Sequence, residues 1–319
     1  MSGAEIFLEF LLFPGLLFTA VAGLLTSWVD RKVTAMVQMR VGPPLLQPFY
    51  DIRKFFIKET CVPEGGAVGL FLAAPLIGFA GVTLASMILW RSLLNTEATF
   101  VGDLIVLIYL LMMPALAVIL GSFASRNPLA SIGGSREIKL MIAYELPLVL
   151  AVLVPVIQAG SIRLGDLVSS PAPAGTLSGV LALLAAIACM QAKLTIVPFD
   201  MPEAETELSG GVFIEYSGPP LGMYKLTRAM MLFTLPVFLV ALFFGGWVSA
   251  GGWLPKVYGL LAWFVLVALT IVLRNTTPRV RTEQAVRFFL GPVSCVALLD
   301  VLLALAGWLS CRILSKTWR

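Results

Sequence analysis

Residues 104–123 read LIVLIYLLMMPALAVILGSF, twenty positions without a charged side chain. Wound as a helix, a run of that length spans about 30 Å, the thickness of a bilayer's hydrocarbon core. Its Pro114 does not argue against a helix, because neighbouring helices re-satisfy the backbone groups that proline frees. Working outward, seven more apolar runs meet the same test, near 7–29, 67–90, 140–160, 177–198, 219–248, 257–273 and 288–311. The spacing predicts an all-α membrane protein of about eight transmembrane helices, with residues 1–319 forming a single transmembrane domain. The first run is long enough to span and reads as a retained helix rather than a cleaved leader.

Composition agrees and excludes several function classes. Of the 319 residues 59% are hydrophobic and 13% charged, and there is no histidine. Histidine's absence removes the usual haem ligand, zinc ligand and neutral-pH proton shuttle. Cys61, Cys189, Cys295 and Cys311 show no CxxC spacing, so neither an iron–sulfur cluster nor a disulfide framework is expected. No cofactor or metal is expected on this chain, and no electron chemistry of its own. The net charge is +4, without a basic run interleaved with aromatics, so nucleic acid is not an expected partner.

The basic residues are distributed unevenly. Loops after odd-numbered runs carry Arg31, Lys32, Arg40, Arg53, Lys54, Lys58, Arg126, Arg136, Lys139, Arg274, Arg279, Arg281 and Arg287. By the positive-inside bias these loops face the cytoplasm and both termini lie outside, in a multi-pass protein of the cell membrane. The inner loops 30–66, 124–139, 199–218 and 274–287 hold most of the polar motifs, which suits a surface that docks a partner.

Residues 47–59, QPFYDIRKFFIKE, place Phe49, Ile52, Phe55 and Phe56 at helical spacing, with Asp51, Lys54 and Lys58 elsewhere around the wheel. That is the pattern of an amphipathic helix lying in the membrane interface, either as an anchor or as a docking surface.

Residues 198–218, PFDMPEAETELSGGVFIEYSG, hold Asp200, Glu203, Glu205, Glu207 and Glu215, five of the 18 acidic residues. Asp200, Pro202 and Glu203 together have the form of a helix start, with a capping side chain and a reciprocal Glu. Glu203 and Glu207 would then be like charges one turn apart, which repel. Capping needs fewer acids than this segment has, and Glu215 has no capping explanation. Carboxylates buried together hold a charge-dependent number of protons, the requirement for a relay or a charge-sensing switch. Ionisable residues also fall inside the runs: Glu145, Lys193, Lys225, Arg228 and Asp300. At mid-helix such groups cost about 2.5–3.5 kcal/mol on insertion scales and are functional candidates. Lys193 is expected to snorkel to the interface. Asp300 is read either as functional or as half of an ion pair with another helix.

The segments DRKVTAMVQMRVGPP…QPFYDIRKFFIKE (30–59), GGSREIKLMIAYELP (133–147), PFDMPEAETELSGGVFIEYSG (198–218) and, more weakly, RNTTPRVRTEQAVRF (274–288) carry a resemblance over nearly the whole chain. They resemble the complex I subunit 1 family of NADH:quinone oxidoreductase and its homologues in energy-converting membrane-bound hydrogenases. The resemblance implies an eight-helix subunit joining a cytoplasmic redox arm to antiporter-like membrane subunits. It implies that Glu145, Glu203, Glu205, Glu207 and Glu215 belong to a buried acidic path for ion coupling. It also implies that Asp200, Arg31, Arg40 and Arg136 face the redox arm, beside Asp51 and Lys54 of the amphipathic helix.

One departure bears on the electron acceptor. Quinone-reducing members follow Arg-x-Gly-Pro with Asn and a glycine-rich segment, whereas RVGPP here runs almost directly into LLQPFYD, and Asp30 stands where Glu is usual. That form is similar to group 4 [NiFe]-hydrogenases. The expected function is therefore an anchor and ion-coupling subunit of a ferredoxin-linked hydrogenase. A [NiFe] centre and iron–sulfur clusters would sit in large and small partner subunits, and H⁺ or Na⁺ would be the ion moved. The alternative is the quinone-binding subunit of a complex I-like oxidoreductase, and a third reading is a stand-alone transporter using the same carboxylates.

Overall fold

The computed structural model describes the backbone of residues 3–203, 205–249 and 252–317, and the side chains of 7–97, 99–203, 207–249 and 252–307. Among the described residues, seven helices are long and apolar enough to cross a membrane, and an eighth apolar helix is 17 residues long. In chain order the helices used below are α1 (Leu16–Val37), α2 (Gln47–Ile57), α3 (Val68–Leu94), α4 (Asp103–Ala124) and α5 (Pro128–Ala159). They continue with α6 (Leu177–Lys193), α7 (Gly218–Phe243), α8 (Trp253–Thr276), α9 (Thr282–Phe288) and α10 (Ser294–Thr317).

Helix α7 is the central post. Of its most apolar stretch 94% is buried, against 28% for α8, so α7 is enclosed by the rest of the chain while the chain leaves most of α8 uncovered. Helices α1, α2 and α3 pack against α7, α3 pairs with α4, and α5, α6 and α10 form a second group. Small residues permit the close approaches that stand in for hydrophobic driving force in a membrane. At Gly23 of α1 a Cβ would meet the backbone of Ala229 and Met230 at 2.7–2.8 Å, so a larger residue there would push α1 off the post.

The termini follow local chemistry. Asn127 accepts a hydrogen bond from the Leu129 backbone N–H at 2.9 Å, and Pro128 occupies the first turn of α5, a capped start that needs no amide from proline. Gly160, at φ 68°, ends the same helix in the left-handed conformation. The Thr176 hydroxyl likewise accepts from Gly179 N–H at 3.1 Å to begin α6.

The structure moves several expected boundaries. The fourth span begins at Pro128 rather than near 140, because Ala130, Gly133, Gly134 and Glu137 carry its buried face down to the first turns while Ser131, Ser135, Arg136 and Lys139 lie on the other sides of the same helix. Arg136 and Lys139 are therefore helical, and the connection from α4 shrinks to residues 125–127. The fifth span stops at Lys193 rather than 198. No helix starts at Asp200: residues 201–203 form a turn, and the next helix is the short Glu205–Leu208. Bonds to guanidinium groups, described below, take the Asp200 and Glu203 carboxylates away from capping, because charge-assisted bonds are the stronger competitors.

Helix α2 covers the expected amphipathic stretch. Phe49 and Ile52 pack on the main core, while Phe56 and Ile57 stay exposed.

Candidate functional site

Loops far apart in sequence meet at one end of the bundle, and ion pairs join them. Asp30, at the end of α1, accepts from Arg274 of α8 at 2.6 Å. Arg31 bonds Asp51 of α2 at 2.6 Å, and Gln47 donates to the other oxygen of Asp51 at 3.0 Å. Asp200 pairs with Arg279 at 2.9 Å. Glu203 receives a short bond from Arg228, which also donates to the Thr195 carbonyl at 2.8 Å, and Lys225 lies 4.0 Å away. These pairs surround a cavity of about 550 Å³ between α1, α2 and α7, lined by seven basic and four acidic side chains, including Lys54 and Lys58. The excess of cations makes the cavity attractive to an acceptor that gains negative charge.

Behind Glu203 the polar line continues into the membrane. A small cavity of about 60 Å³ is shared by Glu203, Arg228, Tyr224, Glu137 and Lys193. Glu137 is 1% exposed and its Oε2 has no hydrogen-bond partner among the described residues. Lys193 Nζ donates to both oxygens of Glu145, at 3.0 and 3.3 Å, and lies 5.5 Å from the centre of the Tyr144 ring. Lys193 does not snorkel: its side chain is 1% exposed, held inward by the Glu145 carboxylate.

Glu203 lies in the turn before the short helix Glu205–Leu208. Burial pushes its carboxyl up, but the charges of Arg228 and Lys225 and the Arg228 hydrogen bond outweigh that and hold it below the ordinary 4.5. It is the anchored, ionised member of the line, whereas Glu137 is the one with a free acceptor.

The expected site residues thus divide. Asp51, Lys54, Arg31, Asp200 and Glu203 gather around the large cavity, and Glu145 joins the line through Lys193. Glu207 stands apart at the surface, its side chain 62% exposed and paired with Arg136 at 2.6 Å, so the chain alone does not bury it. Glu207 and Arg136 line a second, open groove of about 1140 Å³ with Asp200, Arg279 and Arg281. Glu215 accepts a 2.5 Å bond from the side-chain amide of Asn127, away from both cavities. Arg40 is exposed beyond α1 and lines none of these cavities. The Glu205 side chain lies outside the described residues. Asp300 is fully buried and has no ion pair among the described residues, so of its two readings the ion pair finds no partner there.

Sequence reading passed over Glu137 because Arg136 and Lys139 flank it like surface charge. The signal was there in the helical period: Glu137, Leu140, Tyr144, Pro147 and Ala151 form one face, and every member is buried.

Residues 9–305 match the family described as NADH dehydrogenase. The chain belongs to that family. This family member is 34% identical over 305 residues to the H subunit of NADH-quinone oxidoreductase from Geobacillus thermodenitrificans, covering 90% of this chain and 91% of the relative. It is 34% identical over 312 residues to the same subunit from Brevibacillus brevis, covering 93% and 92%. Among solved structures it is similar to a chain of the membrane-bound sulfane sulfur reductase, an archaeal respiratory membrane complex. The TM-score there is 0.82 at 26% identity, over 94% of this chain and 99% of that one. This NADH dehydrogenase family member is a multi-pass subunit of a complex I-like respiratory complex in the cytoplasmic membrane.

Proposed function

We propose that this chain couples electron transfer in a cytoplasmic redox arm to ion movement through the membrane, and that the acceptor reduced at its charged cavity is a quinone. The observation that carries the coupling is the row of polar side chains from the cavity, through Glu203 and Arg228 and the small cavity they share with Glu137, to the Lys193–Glu145 pair. A charge arriving in the cavity changes the field on Glu137, whose protonation then shifts the Lys193–Glu145 pair. The names of the relatives support the quinone reading. The cavity's size is within the range of small-molecule sites, about 300–1,000 Å³.

A second reading has its own support. The direct passage from Pro43–Pro44 into Gln47 leaves no glycine-rich segment, and the similar archaeal chain comes from a sulfur reductase complex. On that reading the arm is of the hydrogenase type, with large and small subunits carrying a [NiFe] centre and iron–sulfur clusters, and ferredoxin as donor. Antiporter-like membrane subunits neighbour the chain in either case.

The test uses the purified complex. Quinone reduction that is blocked by quinone-site inhibitors, without nickel, supports the first reading. Hydrogen evolution from reduced ferredoxin, indifferent to those inhibitors, replaces it with the second. For the coupling itself, Glu137→Gln should leave assembly intact and lower the ions moved per electron; an unchanged ratio removes Glu137 from the line.

A further inference from the structure

Asp300 lies in α10, six residues beyond its start at Ser294, within the membrane-crossing segment Thr282–Gly307. It has no solvent exposure, and neither of its oxygens has a hydrogen-bond partner among the described residues. A structural role for a buried carboxyl is a hydrogen bond or an ion pair, and Asp300 has neither. As an anion there it would carry the cost of an unpaired charge in the membrane, a cost that binding a proton removes.

Asp300 is not an isolated case. The buried side-chain atoms without a partner in the described residues are Glu137 Oε2, Tyr144 Oη, Gln191 Oε1 and the two Asp300 oxygens. All belong to α5, α6 and α10, the three helices that pack on one another. Tyr144 sits 6.5 Å from Phe289 between ring centres, at the turn that leads into α10. Eleven residues separate Phe289 from Asp300, about 16 Å along a helix axis. The unpaired polar atoms therefore run from the cytoplasmic-end network toward the opposite side of the membrane. Residues 289–293 form a π-turn, with Ser294 Oγ bonded to the Phe289 carbonyl at 2.7 Å. Such turns are frequent at functional positions in helices.

We infer that Asp300 is a proton-carrying site inside the membrane, reached along the seam between α5, α6 and α10 and separate from the ion-paired network at Glu203. This rests on the proposed coupling function and adds an outward stage to it. The titratable groups gathered around Tyr144 on this seam are Glu137, Glu145, Cys189 and Lys193. The cargo is a proton rather than a metal cation, because the described residues contain no group of three or more acidic or cysteine side chains that would hold one. One O–H bond breaks and re-forms at the carboxyl for each proton carried, and no electron moves.

The test is made on the whole complex in sealed vesicles. Asp300→Asn is expected to assemble and to transfer electrons in detergent at the wild-type rate, while protons moved per electron fall by about fivefold or more. Asp300→Glu should restore part of the loss, an outcome that a misfolding defect would not give. Proton movement by Asp300→Asn at the wild-type ratio overturns the proposal. An infrared readout is independent of pumping: the wild type should show a protonated-carboxyl band that shifts in D₂O and is absent in Asp300→Asn. A band that does not exchange overturns the site. Wild-type vesicles that move no protons at all would instead sink the coupling function, with the exchangeable band still deciding Asp300.

Discussion

Lys193 of α6 and Glu145 of α5 form a 3.0 Å ion pair, with the lysine side chain 1% exposed and the glutamate 20%. The pair joins two helices inside the apolar bundle and ends the polar line that starts at the cytoplasmic cavity.

Removing one partner should be far worse than removing both. Lys193→Met leaves Glu145 unpaired and is expected to cost about 3–5 kcal/mol, whereas Lys193→Met with Glu145→Leu should recover most of that. Heat-induced loss of the chain from the complex measures it; equal losses for the single and double variants would mean the pair is not coupled.

Glu203→Gln should destabilise in a pH-dependent way. The folded state holds this carboxyl below its ordinary 4.5, so its contribution is complete above that value and is lost as pH falls through the lower, folded pKa. The gap in thermal midpoint between wild type and Glu203→Gln should be full at neutral pH and close on acidification below the ordinary 4.5. A gap that widens in acid would contradict the assignment.

Glu207 and Glu215 should behave differently. The exposed Glu207–Arg136 pair contributes at most about 1 kcal/mol, so Glu207→Gln should leave this chain's stability and its proton movement nearly unchanged and weaken docking of the redox arm. Glu215→Gln keeps the shape and an acceptor oxygen but removes the charge that strengthens the bond from Asn127, and should loosen the start of α5 and slow turnover. Turnover and subunit retention, measured side by side, separate the two; equal effects on both would refute the distinction.

Gly121→Ala should disturb the second, smaller core. A methyl there lands on the hydroxyls of Tyr216 and Tyr224, which donate to the carbonyls of Phe71 and Ala117 at 2.9 Å each. Burial also pushes the Tyr216 phenol up to about 12, so it remains a donor throughout the working range. The expected cost is about 1–3 kcal/mol, partly relieved by Tyr216→Phe; a variant that unfolds with the wild type would show that α4 has room to move.

How much of this was readable beforehand differs between fold and site. Helix number followed from runs such as 104–123, because water and lipid sort side chains by hydropathy alone. The start of α5 was missed because Arg136 and Lys139 look like loop charge, although the buried period through Glu137, Leu140 and Tyr144 was present. Asp200 and Glu203 looked like caps because capping is a local rule, and their guanidinium partners, Arg279 and Arg228, come from elsewhere in the chain. The same limit hid the partner of Lys193.

The sequence by itself determined a helical membrane subunit, the family it belongs to, and the polar loops gathered at one face, because apolar length, loop charge and local motifs are properties of the chain read in order. Only the tertiary structure decided which carboxylates are paired, which are exposed and which, like Glu137 and Asp300, are buried without a partner. Those facts depend on distances between helices that are far apart in sequence, and an ion pair's energy depends on distance and burial rather than on order along the chain.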